Sequence, residues 1–123
     1  MGNKAESDEA QRQTFAIIEE HLKLHPEDGR ALYFGADALA TLGDKERALE
    51  WAEQALVLDQ DEPQTLYNVA CVFCHLDEID KALDCLERSV QSGYASLEWL
   101  QNDPDLSAIR EHPRFLALLE KKR

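Results

Sequence analysis

At 123 residues, with 44% hydrophobic side chains and a formal net charge of −12, the chain is long enough for one domain with a core of its own. Its 25 acidic residues against 13 basic ones argue against a nucleic-acid or anionic-membrane surface, both of which need a basic face, and favour neutral or basic partners. No stretch approaches the roughly 20 apolar residues of a membrane span, no apolar run opens the chain as a secretory leader would, and an odd count of three cysteines fits reduced thiols in a cytoplasm.

Residues 1–10 are polar and are expected to form a disordered tail. Met1-Gly2-Asn3-Lys4-Ala5-Glu6 misses an N-myristoylation signal because Glu6 stands where Ser or Thr is required. Met1-Gly2 reads as a start or a cloning remnant. From 11 to 24 the spacing of Phe15, Ile18 and Leu22 predicts a helix, stopped by Pro26 and Glu27-Asp28-Gly29. Asp28 is placed to cap a helix over about 30–42 carrying Leu32, Tyr33, Ala36, Leu39 and Leu42. Gly43 supplies a tight turn, and Asp44 caps a helix over about 45–58. Asp61-Glu62-Pro63 then opens a helix over 63–76, with Pro63 at the first position, where a missing N–H costs nothing. A helix over 79–91 follows a turn in which Asp77 takes the place of glycine.

Beyond Gly93 the pattern changes. Asp103 is placed to cap, and Pro104 to open, a helix through Leu106, Ile109 and Arg110, which His112-Pro113 interrupts. A last helix holds Phe115, Leu116, Leu118 and Leu119, and Lys121-Lys122-Arg123 complements its dipole.

A spacing of 34 residues links the central helices: Leu32 with Leu66, Tyr33 with Tyr67, Ala36 with Ala70, Leu42 with Leu76, Ala48 with Ala82 and Leu49 with Leu83. Upstream, Glu19, Leu22 and Leu24 fall on Glu53, Leu56 and Leu58. A fixed period in this range marks a stacked repeat. Small residues at Ala36, Ala70, Ala48 and Ala82 suit close helix crossings.

Leu32, Ala36, Leu39, Gly43, Ala48, Ala52, Ala55 and Leu58-Asp59, with Leu66, Ala70, Phe73, Ala82, Leu86 and Ser89 in the second copy, resemble the tetratricopeptide repeat. Residues 11–26 look like the second helix of a preceding repeat. Trp99 to Leu106, Ile109-Arg110, Pro113 to Phe115 and Leu118-Leu119 are similar to the segment that closes many bacterial tetratricopeptide arrays. The resemblance implies an all-α, right-handed solenoid of helix–turn–helix repeats: a tail at 1–10, a partial repeat at 11–28, repeats at 29–62 and 63–96, and capping helices at 97–123. It also implies a cytoplasmic, non-catalytic module for protein–protein interaction, a scaffold or adaptor, with a protein or peptide in a concave groove lined by the first helix of each repeat. The alternative is a structural segment, or the C-terminal part of a larger signalling protein, that associates through its N-terminal helix, with a homodimer through Phe15, Ile18 and Leu22.

The groove-facing candidates are Arg30, Tyr33, Phe34, Asp37 and Thr41 from one helix, and Gln64, Tyr67, Asn68, Cys71 and His75 from the next. Tyr33 would supply aromatic contact, Asn68 hydrogen bonds to a peptide backbone, Asp37 a negative anchor and His75 a pH-sensitive contact. The family's clamp for an acidic C-terminal tail lacks its lysines here, and Asp37 has the wrong sign for it. A neutral or basic segment is the expected ligand. Cys71-Val72-Phe73-Cys74-His75 matches the c-type haem attachment pattern, but it sits mid-helix with no export signal and no evident second axial ligand. A metal held by Cys71, Cys74, His75 and Cys85 is a remote alternative to simple packing of small apolar thiols. No cofactor and no enzymatic activity are expected: the five glycines are scattered and no nucleophile–base arrangement is visible.

Overall fold

The structure, a computed structural model, describes residues 4–94 and 96–122. It is all-helical, with no strand among the described residues. In order come α1 (Lys4–Leu24), α2 (Gly29–Thr41), α3 (Lys45–Leu58), α4 (Pro63–His75), α5 (Ile79–Gln91), α6 (Leu97–Asn102), a 3-10 helix (Pro104–Ile109) and α7 (Pro113–Lys122). No helix among the described residues is long and apolar enough to cross a membrane. Met1-Gly2-Asn3 and the side chains of Lys121-Lys122-Arg123, read above as a start and a dipole complement, lie outside the described residues.

Two compact units divide at Gln60/Asp61. In the first, α2 packs on both α1 and α3. Leu32, Ala36 and Leu39 of α2 and Ala48, Ala52 and Ala55 of α3 are buried. The alanines bring α3 close, and Gly35 lets α2 take in the Trp51 ring: a Cβ there would overlap Trp51 Cζ3 and lie 3.2 Å from Ile18 Cγ2. The N-terminal helix begins at Lys4, inside the stretch expected to be a disordered tail. Ala5, Glu6, Glu9, Ala10 and Gln11 are strong helix formers, and Glu9 accepts from Arg12 and Gln13 one turn on. Phe15, Ile18 and Leu22 are half-buried within this unit: Phe15 lies 5.0 Å from the Trp51 ring, with Arg47 over both rings. They are therefore not the open face expected to pair with a second copy. Ile17 and Leu24, at 71% and 80% exposed, are the outward apolar residues of α1.

In the second unit α4 packs on α5 and on the 3-10 helix, α5 meets α7, and α6 meets α7. Val69, Ala70, Phe73, Ala82, Leu83 and Leu86 join Leu100, Leu106, Ile109 and Phe115 in its core.

The two helix hairpins close with one turn geometry. Gly43 and Asp77 have φ of +89° and +63°. In the first turn, Gly43 N–H donates to Ala40 and Asp44 N–H to Leu39; in the second, Asp77 N–H donates to Cys74 and Glu78 N–H to Phe73. These are Schellman closures, which need a left-handed residue just past the helix. Asp77 is the chain's one described non-glycine residue with positive φ, and Asp tolerates that region better than most. The predicted caps are present: Asp28 accepts from Ala31 N–H at 3.2 Å, Asp44 from Arg47 N–H at 3.3 Å and Asp103 from Asp105 N–H at 2.9 Å.

Candidate functional site

Helix α4 presents Gln64, Tyr67 and Asn68 along one side, at i, i+3 and i+4. Opposite them the chain leaves α5 through Gly93 and returns as α6, which starts on Ser96: its Oγ accepts from Trp99 N–H at 3.1 Å. Tyr94, Glu98, Trp99, Asn102 and Asp103 thereby form the second wall of a cleft of about 530 Å³.

Three rings cluster at its base. Tyr67, Tyr94 and Trp99 have centroid separations of 6.2, 5.7 and 5.4 Å, all edge-to-face, the arrangement that ring quadrupoles favour. Tyr67 is buried, whereas Tyr94 and Trp99 remain 36% and 46% exposed. The Tyr67 hydroxyl donates to Asp103 Oδ2 at 2.6 Å. Burial and the adjacent Asp103 carboxylate both hold the phenol proton, raising its pKa well above the ordinary value.

The far wall is locked by Arg110. Its guanidinium donates to the carbonyls of Leu100 (3.2 Å), Gln101 and Asp103 (2.6 Å). The Leu100 and Gln101 carbonyls stand at the end of α6, where helical N–H donors run out, and the Asp103 carbonyl also accepts from Leu106 N–H at 3.1 Å. Asn68 is half-buried, and its Nδ2 donates to Gln64 O at 2.8 Å.

Cys71 and His75 continue α4 beyond this cleft. The His75 ring lies 3.1 Å from Asp105 Oδ1. Cys71 is buried, with its sulfur and one oxygen each of Asp103 and Asp105 lying within 4.8 Å of one another. Cys74, also buried, has its thiol pKa pushed up to about 12, by desolvation first and then by Asp105 and Asp103. Cys85, buried as well, is raised to about 11, mainly by desolvation. Cys71, Asp103 and Asp105 are thus the donors that could approach a metal. Sequence spacing pointed to Cys71 with Cys74, His75 and Cys85 and did not show these carboxylates, which are 30 or so residues away. Both carboxylates already accept hydrogen bonds, from Tyr67, the Asp105 N–H and His75. The Cys71 and Cys74 thiols, 7% and 5% exposed as residues, sit too deep for a porphyrin edge.

The candidates on α2 belong to the first unit. Tyr33, expected as an open aromatic contact, is 2% exposed: its ring packs into the core and lies 4.9 Å from Phe34. Phe34, at 48% exposed, is the outward aromatic, with the Arg30 guanidinium 5.8 Å over it. Arg30 and Phe34 help line a hollow of about 330 Å³ with Ile17, Ile18, His21, Asp28 and Ala31. Asp37 is half-buried, and its carbonyl accepts from exposed Thr41. Of the residues expected to act together, then, Gln64, Tyr67 and Asn68 share a cleft, Arg30 and Phe34 share a hollow, and Tyr33 is core. Tyr94, Glu98, Trp99, Asn102 and Asp103 were not among the groove candidates, which came from the first helix of each repeat, whereas these residues follow α5. The aromatic residues Tyr94 and Trp99, close to Gly93 and Ser96, and the cap at Asp103 were the signals of this wall in the sequence.

No family model and no solved structure matches the chain. It is 33% identical over 82 residues to a chloroplastic protein of Arabidopsis thaliana, across 64% of this chain and 24% of that protein. The matched part of the chain therefore spans about a quarter of the length of that curated relative.

Proposed function

We propose that this chain is a non-catalytic protein-binding module of the tetratricopeptide type, a right-handed helical solenoid that takes an extended peptide segment of a partner against α4. The observation that carries this reading is the cleft itself. Exposed Trp99 and Tyr94 share one concavity with the side-chain amides of Gln64, Asn68 and Asn102. Rigid aromatic surface provides contact area at low entropic cost, and amides can pair with both the N–H and C=O groups of an extended backbone. Raised, buried thiols at Cys74 and Cys85 make poor nucleophiles, which favours a binding role over covalent chemistry.

Selection from a random displayed-peptide library tests the reading, using the native chain and an Asn68→Ala/Trp99→Ala variant whose folding is checked by circular dichroism. Enriched peptides should bind the variant about tenfold or more weakly, as for an aromatic hot spot. Absence of enrichment, or equal binding by the folded variant, would remove the support for the cleft.

One observation favours a second reading, self-association through α1. Ile17 and Leu24 are largely exposed and Phe34 lies close by in the same hollow as Ile17. Sedimentation equilibrium of the native chain and Ile17→Glu distinguishes it: a concentration-dependent dimer abolished by the substitution would support assembly, and a monomer at all concentrations would dismiss it.

A further inference from the structure

We infer that the α4–α6 cleft recognises a cationic side chain, arginine or lysine, carried by the partner peptide. This rests on the peptide-binding reading and specifies its ligand. The inference comes from how the chain treats its other aromatic surfaces. The half-buried Phe15–Trp51 pair is covered by Arg47 and exposed Phe34 by Arg30, each cation lying 5.2–5.8 Å from a ring centroid. Tyr94 and Trp99 are also exposed, yet no cation–ring contact involves the Tyr67, Tyr94 and Trp99 cluster among the described residues.

The carboxylates of the cleft point the same way. Some acidic side chains elsewhere meet cations: Asp84 and Glu87 meet Arg114, Glu19 and Asp44 meet Arg47, and Glu20 meets Lys23. With 25 acidic residues against 13 basic ones, others have none, and what marks the cleft is that its carboxylates stand beside exposed rings. Glu98 and Asp103 share the cleft with the rings, and among the described residues no cation pairs with either. Asp103 is oriented by two donors, the Tyr67 hydroxyl and the Asp105 N–H, neither of which carries charge. A carboxylate can accept more than two hydrogen bonds. The lining contains no Lys, Arg or His. An exposed indole and phenol beside two carboxylates without an ion-pair partner among the described residues (Arg110 meets the Asp103 main-chain carbonyl) form a surface complementary to a guanidinium or ammonium: the ring faces attract the cation and the carboxylates accept its N–H groups.

Single blocked amino acids test this without a known partner. The chain is labelled with 5-fluorotryptophan, and its two lines are assigned with Trp99→Phe. Nα-acetyl-arginine and Nα-acetyl-lysine methylamides are then titrated at low ionic strength beside their neutral counterparts from citrulline and norleucine. The cationic probes should move the Trp99 line saturably and leave Trp51 in place. The neutral probes should not move it. Glu98→Gln, an exposed position, should weaken the cationic probes roughly threefold to fivefold while leaving the circular dichroism unchanged. The inference falls if neutral probes shift Trp99 as strongly, if no cationic probe shifts it, or if Glu98→Gln binds like the native chain. Library peptides that bind the cleft without a basic residue would overturn the cation and keep the peptide-binding reading. A chain that binds blocked arginine yet selects no peptide would lose that reading and keep the cation site.

Discussion

Asp77 shows how much one residue's backbone can carry. It occupies the left-handed position that Gly43 fills 34 residues earlier, with φ of +63°, and it closes the same Schellman turn. An L-residue pays of order 1–2 kcal/mol there, less for Asp, while glycine gives back some chain entropy in the unfolded state. Asp77→Gly should therefore stabilise the protein by about 0.5–1 kcal/mol, and Asp77→Val should destabilise it, as read by urea denaturation. Sequence foresaw this strain because the repeat register exposes it. It did not foresee that Tyr33 and Tyr67 would both be buried: their helix positions suit an open groove, but tertiary packing decides how much of a large amphipathic ring stays in water. Asp28 offers a pH test. Its carboxylate accepts from Ala31 N–H and lies 2.7 Å from the His21 ring, and its pKa is lowered from 3.8, first by His21. A lowered folded pKa gives stability that is present above the unfolded value and is lost as pH falls through the folded one. Stability should drop below about pH 4, and the drop should be shallower in Asp28→Asn, which keeps the cap but not the charge.

For whole helices, what decides is how closely each can approach its neighbours. The limits of α2 to α5 were legible from caps, prolines and the 34-residue register, because these features act locally. The early start of α1 and the separate α6 were not: the first depends on summed propensity in a polar stretch, and the second on carbonyls that the Arg110 guanidinium, several residues downstream, helps to satisfy. Gly35 gives a sharp test of the α2 crossing. Alanine would gain about 1 kcal/mol in helix propensity, yet its Cβ would overlap the Trp51 ring and crowd Ile18. Overpacking of about 1–3 kcal/mol should win, so Gly35→Ala is expected to lower the urea midpoint. At the other end, Arg114 ties α7 to α5. It donates Nε and Nη2 to Glu87 at 3.1 and 2.8 Å and Nη2 to Asp84 at 2.7 Å. A bidentate network outweighs a lone surface pair. With Arg114 about a third exposed and Asp84 more so, solvent screens the network, and Arg114→Ala should cost up to about 1 kcal/mol, with amide exchange accelerating in α7 before it does in α4.

The molecule as a whole is governed by its charge. With a net −12, the field outside the surface attracts basic ligands over the Debye length and is screened by salt. For a selected basic peptide, the association rate should fall steeply between about 50 mM and 500 mM salt, with a much smaller change in the dissociation rate. A rate insensitive to salt would mean that long-range steering plays no part. Composition alone disclosed this property. The cleft was only half legible: α4 supplied Gln64, Tyr67 and Asn68 on schedule, but the wall bearing Tyr94, Trp99 and Asp103 is brought there by tertiary folding of a segment without a period. The buried cysteines carry a different consequence. Cys71, Cys74 and Cys85 are shut inside the second unit, and buried thiols raised to about 12 and 11 at Cys74 and Cys85 resist oxidants while the fold is closed. Once the chain opens, Cys71 and Cys74 become ordinary thiols three residues apart. Thiols that react only when the fold opens make opening the step that exposes them to oxidants, so in an oxidising environment their survival is set by how often the protein opens rather than by their chemistry in the closed state.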